Sequence, residues 1–212
     1  MADTRDVRGE LERGRLMPVI VIDDPAAAEP LAAALLAGGL RCAEVTFRTE
    51  MAEAALRVMA QDSRLLVGAG TVVRADQVDR AVEAGAAFIV SPGFSEAVVR
   101  RCQELRVPVF PGVATASELM SAVDAGLDVV KFFPAEALGG VAMLKALAAP
   151  FAGVRFITTG GITAAHLPAY LSLRSVLAVG GSWMVAPRLI ASGAWEEISR
   201  LTAEAVAIAG QV

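Results

Sequence analysis

Residues 65–90, LLVGAGTVVRADQVDRAVEAGAAFIV, decide the fold. Leu65-Leu66-Val67-Gly68 is a short apolar run, 75–84 carries apolar side chains at helical spacing, Gly85 punctuates, and Phe88-Ile89-Val90 is apolar again. A glycine just past a periodic segment ends a helix. A strand, a helix and a strand in that order make a parallel βαβ unit, because parallel neighbours need a crossover connection.

The same alternation extends in both directions. Short β-branched runs at 18–22, 42–46, 65–68, 88–90, 107–110, 128–131, 155–158 and 176–179 are each followed by an Ala-rich stretch with helical spacing. Those stretches lie at 26–37, 51–60, 75–84, 96–105, 117–125, 141–149, 164–171 and 195–209. The strands are apolar on both faces, as parallel strands covered by helices are. The eight repeats predict an α/β chain folded as a (β/α)8 TIM barrel, with a doubly wound open sheet as the alternative. No linker, low-complexity tract or charge block divides residues 1–212, so they read as one domain. A short N-terminal helix at 4–13 is placed to cover the barrel bottom.

Local signals mark the helix starts. Thr115-Ala116-Ser117-Glu118 is a capping box. Thr49, followed by Glu50 and Glu53, reads as an N-cap with two acids in favourable places. Gly38-Gly39 and Gly85 close helices.

Composition narrows the function classes. With 55% hydrophobic and 20% charged residues the chain buries a sizeable core and is not disordered. Its net charge of -4 offers no basic footprint for nucleic acid. Residues 1–14 are charged throughout and lack the apolar core of an export signal. Apolar stretches fall short of the roughly 20 residues that cross a bilayer. The expectation is a cytoplasmic protein with no membrane span. Cys42 and Cys102 lie far apart with no CxxC spacing, and read as buried, reduced thiols. One histidine and no carboxylate cluster leave no credible metal site.

The chemistry collects at strand ends. Leu127-Asp128-Val129-Val130-Lys131-Phe132-Phe133-Pro134 reads as a short buried strand with an amine at its far end. An ammonium group taken out of water is costly, and a neutral amine is the nucleophile that forms a Schiff base with a carbonyl. A surface lysine closing a strand is the alternative. The other lysine, Lys145, falls in a helical stretch. Glu44 is an acid inside the otherwise apolar strand 42–46. In a barrel whose active-site face is the C-terminal end of its strands, Glu44 and Lys131 both point inward. A buried carboxylate beside an amine serves proton transfer, and a stabilising ion pair plugging the barrel is the alternative.

Arg48 and Thr49 close strand 42–46, Thr71 follows Gly68-Ala69-Gly70, and Pro92-Gly93 follow Val90. Thr159-Gly160-Gly161-Ile162-Thr163 and Gly180-Gly181-Ser182-Trp183 follow the seventh and eighth strands. Glycines there let backbone N–H groups approach an anion, and barrels often hold a phosphate at that place; plain turns are the alternative. His166, on the first turn of its helix, reads as exposed or capping. Trp183 and Trp195 read as packing residues. No serine has a local histidine partner, which argues against a serine hydrolase.

These stretches resemble the bacterial 2-keto-3-deoxy-6-phosphogluconate (KDPG) and 4-hydroxy-2-oxoglutarate (KHG) aldolases over nearly the whole chain. The likeness rests on Glu44-Val45-Thr46-Phe47-Arg48-Thr49, Gly68-Ala69-Gly70-Thr71-Val72, Ser91-Pro92-Gly93, Lys131-Phe132-Phe133-Pro134-Ala135-Glu136, Thr159-Gly160-Gly161-Ile162 and Gly180-Gly181-Ser182-Trp183. The resemblance implies a class I aldolase with Lys131 as Schiff-base lysine and Glu44 as general acid and base. It implies that Arg48 and Thr71 hold a pyruvyl carboxylate, a planar anion suited to a guanidinium. Pro92 and Phe133 wall the pyruvyl group, Thr159 sits near the sugar hydroxyls, and Gly160, Gly161, Gly181 and Ser182 cradle the phosphate. It further implies a small 2-keto acid phosphate as substrate, a homotrimer, and no cofactor or metal. The chain departs from the family pattern at Phe47, Ala116, Thr158 and His166; of these, Thr158 bears on how Thr159 faces the sugar. A phosphosugar isomerase or epimerase, and a non-enzymatic phosphosugar-binding protein, are the rival readings.

Overall fold

The computed structural model describes residues 6–212. Its strands are β1 (Leu16–Ile20), β2 (Cys42–Thr46), β3 (Leu66–Gly70), β4 (Ile89–Val90), β5 (Val109–Phe110), β6 (Gly112–Val113), β7 (Val129–Phe132), β8 (Arg155–Thr159) and β9 (Val176–Gly181). They pair in parallel in the order β5-β4-β3-β2-β1-β9-β8-β7-β6. The fifth strand position, expected over 107–110, is filled by two segments: β5 lies within that run and β6 beyond it, past Pro111. The first segment pairs with β4 and the second with β7. Proline has no N–H for a ladder, but the Pro111 carbonyl accepts the Lys131 N–H at 2.8 Å. The split strand thus joins the two ends of the order. The sheet is a barrel of eight strand positions in nine segments, and the open-sheet alternative falls.

The helices are α1 (Val7–Gly14), α2 (Ala28–Ala37), α3 (Ala52–Met59), α4 (Ala75–Glu83), α5 (Glu96–Leu105), α6 (Ala116–Asp124), α7 (Gly140–Ala148), α8 (Leu167–Leu171), α9 (Pro187–Ala191) and α10 (Trp195–Ala209). Their apolar faces, with Leu31, Leu56, Leu119, Leu144 and Ile198 among them, pack on the outside of the barrel. A second cluster fills the inside, from Met17, Cys42, Leu66, Phe88, Phe110, Val129, Ile157 and Leu177. Val7 and Leu11 of α1 belong to that inner cluster, so α1 seals the bottom. Residues 4 and 5 of the expected N-terminal helix lie outside the described residues. Asp6 caps α1 by accepting the Gly9 N–H at 2.9 Å.

The inner layer fixes the site. Cys42 and Val129 are the first residues of β2 and β7 and point inward. Side chains alternate along a strand, so Glu44 and Lys131, two residues on, point inward one layer higher.

Some expectations need correction. Thr49 does not cap α3: the N-cap is Met51, without a side-chain bond, and the Thr49 hydroxyl donates instead to the Ile22 carbonyl at 2.6 Å. The 3-10 turn Trp183–Val185 and the helix α9 that follows it were not expected. Among the described residues no helix is long and apolar enough to cross a membrane. Both cysteines are free and buried, and burial pushes their thiols up, Cys102 to about 12.

Candidate active site

Lys131 Nζ donates to Glu44 Oε1 at 3.3 Å, with side chains 6% and 0% exposed. That burial excludes a surface lysine at a strand end. Room for the carboxylate comes from β3, where a Cβ on Gly70 would lie 2.0 Å from Glu44 Oε1. The other oxygen, Glu44 Oε2, is buried and has no hydrogen-bond partner in the protein. Removing two charges from water costs several kcal/mol per ion, and an orphaned polar atom costs about 1–3 kcal/mol more. Stability alone does not account for such a pair. Lys131 Nζ also stands 5.2 Å from the centroid of the Phe133 ring, within cation–π range.

The rim above this pair is held by backbone and glycine. Arg48 follows β2 with its N–H on the Thr46 carbonyl at 2.8 Å, and its exposed guanidinium has no ion-pair partner among the described residues. Thr71 has φ 57, a left-handed conformation that strains a β-branched residue. Such strain costs about 1–3 kcal/mol and clusters at functional sites. The Ser91 hydroxyl donates to the Gly93 carbonyl at 2.8 Å, across the half-buried Pro92. A Cβ on Gly112 would fall 2.2 Å from the Pro92 carbonyl oxygen, so this glycine admits the turn.

Thr159 ends β8 with its hydroxyl buried and unpartnered, and Gly180 makes room for it, since a Cβ there would lie 2.3 Å from Thr159 Oγ1. Thr158 takes the opposite face by strand alternation, so its hydroxyl is not aimed alongside that of Thr159. The Thr158 hydroxyl is also buried without a partner, and nothing in the structure explains it.

The two glycine loops differ in kind. Gly160 (φ 112) and Gly161 (φ 76) hold conformations that side chains avoid. Gly181 has no positive φ; a Cβ on it would lie 1.7 Å from Trp183 Cζ3. The indole therefore dictates that glycine, and a bulkier residue there breaks packing whatever the loop binds. Ser182 is exposed beside it. His166 Nδ1 accepts the Thr163 N–H at 3.2 Å, so His166 caps its own turn, and that N–H is already taken.

Sequence reasoning named both members of the buried pair and missed what makes room for it. Gly70 reads only as part of the stretch leading to Thr71, and Gly180 as part of a loop open to an anion; their neighbours across the ladder give them this other purpose. Among the described residues no group of three His, Cys, Asp or Glu side chains gathers as metal ligands would.

The family model KDPG and KHG aldolase matches residues 7–201. The 2-dehydro-3-deoxy-phosphogluconate aldolase of Treponema pallidum is 47% identical over 201 residues, 94% of this chain and 96% of that one. The KHG/KDPG aldolase of Escherichia coli is 47% identical, over 92% of each chain. The crystal structure of Legionella pneumophila KDPG aldolase, with pyruvate captured as a covalent carbinolamine, matches with a TM-score of 0.89 at 41% identity, over 92% of this chain and 96% of that one. A family model and close relatives that both span the barrel make the chain a member of the KDPG and KHG aldolase family.

Proposed function

We propose that the chain is a class I aldolase that cleaves 2-keto-3-deoxy-6-phosphogluconate to pyruvate and D-glyceraldehyde 3-phosphate, and also acts on 4-hydroxy-2-oxoglutarate. The observation that carries this reading is the buried Lys131 amine 3.3 Å from a Glu44 carboxylate whose second oxygen is free.

Lys131 Nζ adds to the C2 ketone to give a carbinolamine. Glu44, holding the proton that Nζ gave up on becoming a neutral amine, delivers it to the carbinolamine hydroxyl, water leaves, and an iminium forms. The iminium draws in the electrons of the C3–C4 bond as the C4 hydroxyl gives its proton to Glu44. Glyceraldehyde 3-phosphate departs, the enamine takes a proton at C3, and water returns Lys131 and releases pyruvate. Proton relay by one carboxylate is a contribution of about 10²–10⁴ in rate. Arg48 and Thr71 hold the pyruvyl carboxylate, and Pro92 and Phe133 wall its methyl side. Thr159 meets the sugar hydroxyls, and Gly160, Gly161, Gly181 and Ser182 receive the phosphate. The carbinolamine in the Legionella enzyme supports an imine route in a related barrel. The proposal includes a homotrimer in the cytoplasm, on the family resemblance alone.

The test is pyruvate with borohydride, followed by peptide mass mapping. Reduction of the imine leaves a secondary amine on Lys131, and cleavage survives EDTA. A label on Lys145, no label, or a chelator-sensitive enzyme overturns the reading.

A further inference from the structure

Glu136 lies just past β7 and opens the 3-10 turn Glu136–Leu138. Its N–H donates to the Gly160 carbonyl at 3.0 Å, and the Ala135 N–H to the Thr159 carbonyl at 2.8 Å. The segment leaving the Lys131 strand therefore runs beside the glycine loop after β8. The Glu136 side chain extends this link. Oε1 accepts the Tyr170 hydroxyl of α8 at 2.5 Å, and Oε2 stands 3.9 Å from His166 Nδ1.

Two glycines clear the path of that side chain. A Cβ on Gly161 would lie 2.9 Å from Glu136 Cβ, and one on Gly140 would lie 3.1 Å from Glu136 Oε1. Tyr170 is 1% exposed. Burial first, and then the Glu136 carboxylate, push its phenol well up, so it remains a donor. Paired glycines give a loop great backbone freedom. A cradle built on them needs an outside support to be pre-organised. The Glu136 side chain stands against Gly161, and Tyr170 anchors it from the helix layer.

We propose that Glu136 is a positioning residue that, braced by Tyr170, holds the Gly160-Gly161 loop in register with Lys131 and so sets affinity for the phosphorylated end of the substrate. This rests on the aldolase reading above. Glu136 does not touch the reacting atoms. It acts through the loop.

The condensation direction tests it, because pyruvate and D-glyceraldehyde 3-phosphate then have separate KM values. Glu136→Ala raises KM for the aldehyde phosphate by roughly tenfold, within the range for groups that share a network. KM for pyruvate and the rate of borohydride trapping on Lys131 stay as in the wild type. Tyr170→Phe, which keeps the ring in place, has the same effect, and the double variant is no worse than either single one. Glu136→Gln recovers most of the loss, since its amide oxygen still accepts the Tyr170 hydroxyl. Equal rises in both KM values, no rise, additive losses, or a lowered KM from removal of the nearby charge overturn the proposal. A wild-type protein that neither traps pyruvate nor condenses the two substrates sinks the aldolase reading as well. An active wild type with unaltered variants sinks this proposal alone.

Discussion

Glu44 places one oxygen on the Lys131 amine and leaves the other without a partner, both inside the barrel. Glu44→Gln fills the same volume beside Gly70 and removes a buried charge. The expected outcome is a folded protein with a lowered melting temperature, because Lys131 loses its buried counter-charge, and with kcat down about 10²–10⁴-fold. Calorimetry and steady-state cleavage on the same preparation check it; wild-type turnover in a folded Glu44→Gln protein makes the pair structural. Both residues were legible in the sequence because an acid and an amine in apolar strands have few explanations. Glu136 was not, because its meaning lies in Tyr170 and Gly161, which only the fold brings near.

The elements were legible where one period ran long enough. β2, α5 and α10 stand at the residues the pattern gave, and the Thr115 capping box opens α6 as expected. β1, expected over 18–22, stands two residues earlier at Leu16–Ile20, with Pro18 inside the strand. α9, over Pro187–Ala191, is too short for periodicity to register. Thr49 was misread because its partner, the Ile22 carbonyl, lies on another loop. The same local view hid why Gly181 is glycine: Trp183 covers it. Replacing Gly181 thus tests packing, and Ser182 is the better probe of the proposed phosphate site. Ser182→Ala is expected to cost binding of the phosphorylated substrate about 1.5–3 kcal/mol, the worth of a hydrogen bond to a charged group. Trapping of pyruvate on Lys131 should proceed at the wild-type rate. The measurement is kcat/KM for the phosphorylated substrate beside the trapping rate, and a parallel fall in both removes Ser182 from the phosphate end.

The whole molecule separates stability from chemistry along the barrel axis. Leu11 of α1 is fully buried in the inner cluster at the bottom, with Val7 beside it, while the Lys131–Glu44 pair lies a layer above. Leu11→Ala opens a cavity in that floor and is expected to cost about 2–5 kcal/mol of stability. Pyruvate trapping on Lys131 should be retained at temperatures where the protein is folded. Urea unfolding and trapping on the same sample decide this; lost trapping in a folded variant would show that the floor supports the pair directly. α1 also leaves the barrel closed at one end. A well with a single opening orders its traffic: the piece bonded at the floor arrives first and departs last. For the proposed aldolase this makes the phosphorylated aldehyde the first product out and pyruvate the second, and a returning aldehyde meets an enamine still waiting beneath it.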